Sequence, residues 1–500
     1  MSRITRFSLL ALLAVFLLVG GVLLAIPLHR NATKVAMAKE PSNPPLKSSA
    51  ASNIPGPSVP VAPPGSIVIT AKRGDTMPGL IRKYLWQSNY MTAPEFEAAI
   101  RSANDGLKGV YLPANKNIIV PGISDKPWEE KLVPVPRNYE VRAIYLTGLM
   151  AGSTKGINIV REWRKVGGNA VVFDIKDSNG WVSVKFNHKL APPDDKATIR
   201  NLAKYTHFLH SMGMHAIARI AIFRDEELVK NHPELAVRSR KTGKPWLEHN
   251  KLVWTDPSNP DVQAYNIALA DYAAKAGVDE IQFDYVRFPA ESDQKDAKFL
   301  YEASHPDWKR SDVITAFLKK AYTELHPTGV LLSLDVFGVM AWERSVDLAH
   351  TGQDIPSMAR YCDVLSPMIY PSHFFGMDGY SDPGDAPEHF ISESMKRFQI
   401  ATKGSNVVLR PWLQAFGWRT KTYSPDYIRV QVATSKSNGG VGFLFWNARN
   451  DYSKPYIAMP EMAKDSTKYF RGDEFDKMPK PMTDSSSPSA ANSPADKAGQ

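Results

Sequence analysis

Eight short apolar runs, separated by amphipathic stretches, constrain this 500-residue chain more than any other feature. They are Ile144–Gly148, Ala170–Ile175, Ala216–Phe223, Ile281–Phe288, Leu331–Phe337, Val364–Tyr370, Val408–Phe416 and Val441–Asn447. Helical periodicity falls between them, most clearly over Asn158–Val166, Ile199–Met212, Val262–Ala276 and Val313–Leu325. Asn259-Pro260 and Ser424-Pro425 place a capping side chain before a proline at the first helical position. Gly213, Gly277 and Gly329 supply stops. Strand alternating with helix demands a mostly parallel sheet covered by helices. Eight such units over residues 139–464 fit an α/β (β/α)8 barrel, and a doubly wound sheet is the alternative.

Residues 1–138 and 465–500 follow other patterns. Arg3 and Arg6 precede an uncharged run, residues 7–28, that at about 1.5 Å per residue reaches roughly 33 Å. Residues 1–30 read as an uncleaved signal anchor holding the body outside the cytoplasm, in a bacterial periplasm or envelope. A cleaved signal, with Ala36-Met37-Ala38 as a late site, stays open. Residues 31–65 are rich in Pro, Ser and Ala and read as a semi-extended tether, and 465–500 as a disordered tail.

Residues 66–124 are structured. Ile67–Ile69 reads as a strand, and Arg73-Gly-Asp-Thr76 opens a helix carrying Leu80, Ile81 and Tyr84. Thr92-x-x-Glu95 is a capping box before a second helix, Asn104-Asp-Gly106 ends it, and Ile118–Pro121 is a closing strand. Strand–helix–helix–strand with Gly-Asp-Thr after the first strand resembles a LysM module, a small α+β carbohydrate-binding domain. That resemblance implies affinity for N-acetylglucosamine chains of chitin or peptidoglycan type. Pro78 and a longer inter-helix segment depart from its pattern.

The formal charge of +10 arises from 61 basic and 51 acidic residues without a dense basic stripe, so no nucleic-acid partner is expected. The single cysteine, Cys362, excludes an intrachain disulfide and any multi-cysteine metal centre. No His-Glu-x-x-His occurs, and Asp177-Ser-Asn-Gly lacks the rest of a calcium loop. No metal or cofactor is expected.

A parallel strand buried on both faces should be apolar throughout. Several runs instead acquire polar residues at alternate positions toward their C-terminal ends: Asp174 and Lys176, Gln282 and Asp284, Ser333 and Asp335, and Arg410, Trp412 and Gln414. Period two puts each set on one face, and the mouth over the C-terminal strand ends is where barrel active sites lie. Asp284, followed by Tyr285, Arg287 and Pro289, is the leading catalytic carboxylate; otherwise it is a structural partner of Arg287. Asp335 on the next strand is its candidate partner, and Asp174 a third candidate, or else an ion pair with Lys176. Tyr370, Trp412 and Trp446 collect at the same exits, with Trp254 and His373 in loops. Sugar rings stack on such planes, and their hydroxyls find Gln414, Asn447 and Arg449.

With Val-Arg-Ala-Ile-Tyr-Leu-Thr-Gly (141–148) and Val-Val-Phe-Asp-Ile-Lys-Asp (171–177), the large region resembles a bacterial family named as glycoside hydrolases from barrel similarity to α-amylase-like glycosidases. The match continues through Ala-Arg-Ile (218–220), Trp254–Pro257, Glu280–Pro289, Ser333–Gly338, Ser366–His373, Leu409–Gln414 and Phe445–Ala448. The resemblance implies hydrolysis of a polysaccharide. It also implies a strand-4 nucleophile, matched by Asp284, and a strand-5 acid/base, where Asp335 stands in place of the usual Glu. Lys176, Arg219, Gln282, Arg287, Tyr370, His373, Trp412, Gln414, Trp446 and Asn447 are the expected substrate-binding set. A non-catalytic envelope protein that binds glycan is the alternative.

Overall fold

The computed structural model describes residues 62–124, 126–193 and 197–472. The expected anchor at 7–28, nearly all of the tether and the tail from 473 onward lie outside the described residues. Among the described residues, no helix is long and apolar enough to cross a membrane. The chain divides into two compact units, with the boundary at residue 125.

The smaller unit pairs a strand, Ser66–Thr70, antiparallel with another, Asn117–Pro121, so that Val68 faces Ile119. Two helices, Met77–Tyr84 and Ala93–Ser102, lie between them in sequence. The Thr76 side chain accepts from the Gly79 N–H, which leaves Pro78 in the first turn, where its missing N–H costs nothing. Thr92 and Glu95 form the expected reciprocal cap. Asp105 and Gly106 take left-handed φ values of 55° and 67° after the second helix. Met77, Ile81, Phe96, Ile100, Ile118 and Val120 fill the core. Buried Asn104 ties helix to strand, donating to the Ile100 and Ile119 carbonyls and accepting from the Ile119 N–H.

The larger unit is an eight-stranded parallel barrel with helices outside it. Strands 1 to 8 are Val141–Leu146, Ala170–Lys176, His215–Ala221, Glu280–Asp284, Leu331–Phe337, Val364–Ile369, a split seventh (Val408–Leu409 and Trp412–Gln414), and Gly442–Trp446. Each pairs in parallel with its sequence neighbours, strand 8 pairs with strand 1, and the ring is complete. The doubly wound alternative is thereby excluded.

Differences from the expected boundaries have local causes. Strand 1 stops at Leu146 because the Thr147 side chain caps a helical turn, Gly148–Ala151. Strand 4 stops at Asp284 because Tyr285 turns left-handed, with φ 53°. Strand 7 is interrupted at Arg410-Pro411, where proline has no N–H for the ladder. The four clearest helices form as Thr154–Lys165, Leu202–Ser211, Pro260–Lys275 and Arg310–Leu325. Asn259 and Ser424 cap as their positions suggest.

The end beneath the strands is closed by charge. Arg410 donates to both oxygens of Glu280 at 2.9 and 2.8 Å, and His215 reaches Glu280 at 3.1 Å, all fully buried. Burial alone would raise the Glu280 carboxyl, but Arg410 and His215 outweigh it and hold it at about 2. Glu280 begins strand 4, so Arg410 belongs to this closed end and not to the mouth, a correction to the reading of strand 7.

Candidate functional site

The C-terminal strand ends bring three carboxylates around one guanidinium. Asp284 ends strand 4, while Asp174, Arg219 and Asp335 each stand two residues before the ends of strands 2, 3 and 5, and Asp174 lies in register with Arg219. Arg219 donates through Nη1 to Asp174 Oδ1 at 2.5 Å. Its Nη2 and Nε donate to Asp284 Oδ2 at 2.6 and 3.2 Å. The same Nε is 3.8 Å from Asp335 Oδ2. Arg219 is thus placed at the centre of the group with its donors turned to protein carboxylates.

The three carboxylates are held differently. Asp174 accepts from the Tyr145 hydroxyl as well as from Arg219. Burial pushes it up to about 7, with Arg219 opposing. Asp335 Oδ1 accepts from Trp412 Nε1 at 2.6 Å and Gln282 Nε2 at 2.7 Å. Burial, reinforced by the charge of Asp284, pushes Asp335 well above the usual carboxylate range. Asp284 Oδ1 accepts from the Tyr285 N–H at 2.6 Å, and its side chain is the most open of the three, at 10% against 0% and 1%. Two neighbouring carboxyls in one low-dielectric site disfavour each other's ionisation, which adds to the effect of burial on Asp335.

Aromatic rings continue from this group along one side. Trp412 contacts Tyr145, Tyr145 stacks with Trp446, and Trp446 meets Tyr370 at 5.6 Å between centroids. Tyr370 and Trp446 both meet Phe416, and His373 lies against Tyr370. Burial, with Arg419 nearby, holds His373 down at about 3, so it is neutral. Gln414 accepts from the Ser372 N–H and donates to the Phe416 carbonyl and Thr420 hydroxyl. Asn447 donates to the Ala415 and Asp451 carbonyls. These two amides tie the mouth loops to one another.

Two expected site residues lie apart. The register shifts between Asp174 and Lys176, so period two fails there. Lys176, fully buried, sends its amine to Asp225 at 2.7 Å and to Asn266 of the Pro260–Lys275 helix at 2.8 Å. It therefore pairs with Asp225 rather than Asp174. Arg219 takes the place beside Asp284 that was expected of Arg287. The Arg287 guanidinium is enclosed by Trp254 and Phe337 at 4.7 and 4.6 Å and donates to the Phe288 carbonyl. Tyr145 was not singled out from sequence, although the inward alternation Val141, Ala143, Tyr145 of strand 1 carries the same signal as the other strands. Among the described residues, no group of three or more His, Cys, Asp or Glu is arranged to hold a metal ion.

Residues 143–452 match the family described as "Putative glycosyl hydrolase domain", and the chain belongs to that family. Several solved structures are similar. A hypothetical protein from Ruminiclostridium thermocellum is 34% identical over 39% of this chain and 97% of its own, with a TM-score of 0.34. The glycoside hydrolase domain of PgaB (BpsB) from Bordetella bronchiseptica is 15% identical over 67% of this chain and 100% of its own, with a TM-score of 0.50. A β-galactosidase from the psychrophilic Marinomonas ef1 is 12% identical over 65% of this chain and 59% of its own, with a TM-score of 0.48. No curated protein matches the chain. At these identities the PgaB likeness speaks for the fold alone.

Proposed function

We propose that the barrel hydrolyses glycosidic bonds of a bacterial polysaccharide at the carboxylate group of its mouth. The observation that carries this reading is the contrast between Asp284 and Asp335: two carboxyls beside one arginine nitrogen, the first the more accessible and paired with Arg219, the second fully buried and raised well above the usual carboxylate range. Glycosidic cleavage passes through an oxocarbenium-like state and needs one carboxylate at the anomeric carbon and one acid at the leaving oxygen. Asp284 acts as the carboxylate, most simply the nucleophile. As the glycosidic C–O bond breaks, Asp335 gives its proton to the departing oxygen and Asp284 bonds to the anomeric carbon; Asp335 then takes a proton from water, whose oxygen attacks that carbon and releases Asp284. Asp174 and Tyr145 hold Arg219 in place, and Tyr370, Trp412 and Trp446 face the sugar. In this reading the smaller unit is a LysM-like glycan-binding module. The body works outside the cytoplasm behind an anchor at 7–28, which a compartment-specific reporter fused after Gly122 tests.

A second reading is a glycan-binding barrel without catalysis. It is favoured by one observation: both oxygens of Asp284 are already satisfied by Arg219 and the Tyr285 N–H. Digestion of peptidoglycan, chitin oligomers and α- and β-glucans, with Asp284→Asn as control, separates the two. Product from the parent and none from the variant supports hydrolysis. Binding without product from either supports the second reading.

A further inference from the structure

We propose that Arg419 anchors an acidic substituent of the glycan, so that the barrel selects carboxylate-bearing polysaccharides. This rests on the glycan reading above and adds the substrate class. From Trp446 and Tyr370 the ring contacts run outward through His373 to Trp418, at 5.4 Å and 5.0 Å between centroids. Beyond Trp418 stands Arg419, whose guanidinium lies 4.5 Å from the Trp418 ring centroid and 3.7 Å from that of Phe375. The rings hold the guanidinium plane, while its edge keeps the N–H donors. Arg419 is exposed, and its side chain makes no hydrogen bond or ion pair with any described residue.

The surrounding loop is built to present it. Arg419 has a left-handed φ of 50°, a conformation costly for a residue with a side chain and found where a ligand must be gripped. A Cβ on Gly384 would fall 2.1 Å from the Arg419 carbonyl oxygen, so only glycine lets the two loops approach this closely. Asp385, next to Gly384, spends one oxygen on the Lys421 and Thr422 N–H groups. Asp382 lies 3.5 Å from Lys421. A stacked guanidinium presents a planar fork matching a carboxylate, and neutral His373 beside it adds no second charge. The spacing from Asp284, several rings away, assigns the acidic group to a sugar remote from the cleaved bond.

The test is calorimetric titration of the full chain at low salt with four probes of similar length. Hyaluronan hexasaccharide, hexagalacturonate and a peptidoglycan glycan-strand fragment carry carboxylates, and chitohexaose is neutral. At least one acidic probe is expected to bind about tenfold or more tightly than chitohexaose. Arg419→Asn, which suits the left-handed backbone, should erase that preference and leave chitohexaose affinity unchanged. Arg419→Lys should recover only part. Equal affinity across the probes, no binding of any acidic probe, or a preference that survives Arg419→Asn overturns the proposal. Because binding is read without turnover, preference without cleavage would defeat the hydrolase reading and leave this one standing.

Discussion

Arg219 grips Asp284 through a single carboxylate oxygen, with Nη2 at 2.6 Å and Nε at 3.2 Å from Oδ2. Its remaining terminal nitrogen is committed to Asp174. One buried positive charge is therefore the condition under which these carboxylates share the mouth. The Arg219→Met variant removes the charge that compensates Asp174, which burial already raises, and Asp174 takes up its proton more readily. A carboxyl raised on folding favours the native state at low pH and disfavours it as pH rises. The variant should be destabilised more at pH 8 than at pH 5. Urea melts at the two pH values measure this, and an equal loss at both would mean that Arg219 matters only for packing.

Burial and the charge of Asp284 raise Asp335, and Trp412 is one of the groups that oppose them. Its indole N–H favours the charged carboxyl, opposing the burial that raises it. Trp412→Phe removes that donor and should push Asp335 further up. The acid then stays protonated to higher pH, and the alkaline limb of the kcat/KM profile should move upward. A limb that stays in place would take Asp335 out of the acid role.

Lys176 is a stability residue. With Asp225 it forms a fully buried pair at 2.7 Å, and Asp225 also caps the helix Glu226–Asn231. Lys176→Met strands that carboxylate and should cost roughly 3–5 kcal/mol, partly recovered by adding Asp225→Asn. Activity per folded molecule should be unchanged, as glycan titration and denaturant melts together would show. A specific loss of glycan affinity would return Lys176 to the site.

His210 makes stability depend on alkaline pH. Burial works against its charge, but Asp279 at 3.0 Å and Glu130 at 3.4 Å outweigh burial and raise it to about 9. A raised histidine stabilises fully below its unfolded value of 6.5 and ceases to do so as pH rises through 9. Stability should fall by on the order of 2 kcal/mol across that window. His210→Gln should flatten the curve, and a wild-type curve already flat from pH 6.5 to 9.5 would contradict the arrangement.

The strands were legible because a strand buried on both faces must be a continuous apolar run, and helices between them show their caps locally. Leu331–Phe337 agrees to the residue, and Thr92 with Glu95 caps as its spacing implies. The carboxylates were legible for a related reason. A charged residue such as Asp284 inside a buried strand has few places to be except the mouth. Tyr145 obeys the same alternation but is half apolar, so it passed for core.

Amino-acid order alone determined the alternation of eight strands with helices and the placing of Asp174, Asp284 and Asp335 toward the C-terminal ends of their strands; the pairing of strand 8 with strand 1 decided for a closed barrel over a doubly wound sheet. It could not determine which charges pair. Lys176 and Arg410 follow the same period-two rule as their neighbours. A register shift sends the first to Asp225, and the second, at the break in strand 7, meets Glu280 at the start of strand 4. Pairing depends on distances between residues 45 to 130 positions apart, such as Arg219 with Asp174 and Arg410 with Glu280. Only closure of the barrel sets those distances, because Coulomb energy and desolvation depend on separation in space and not along the chain.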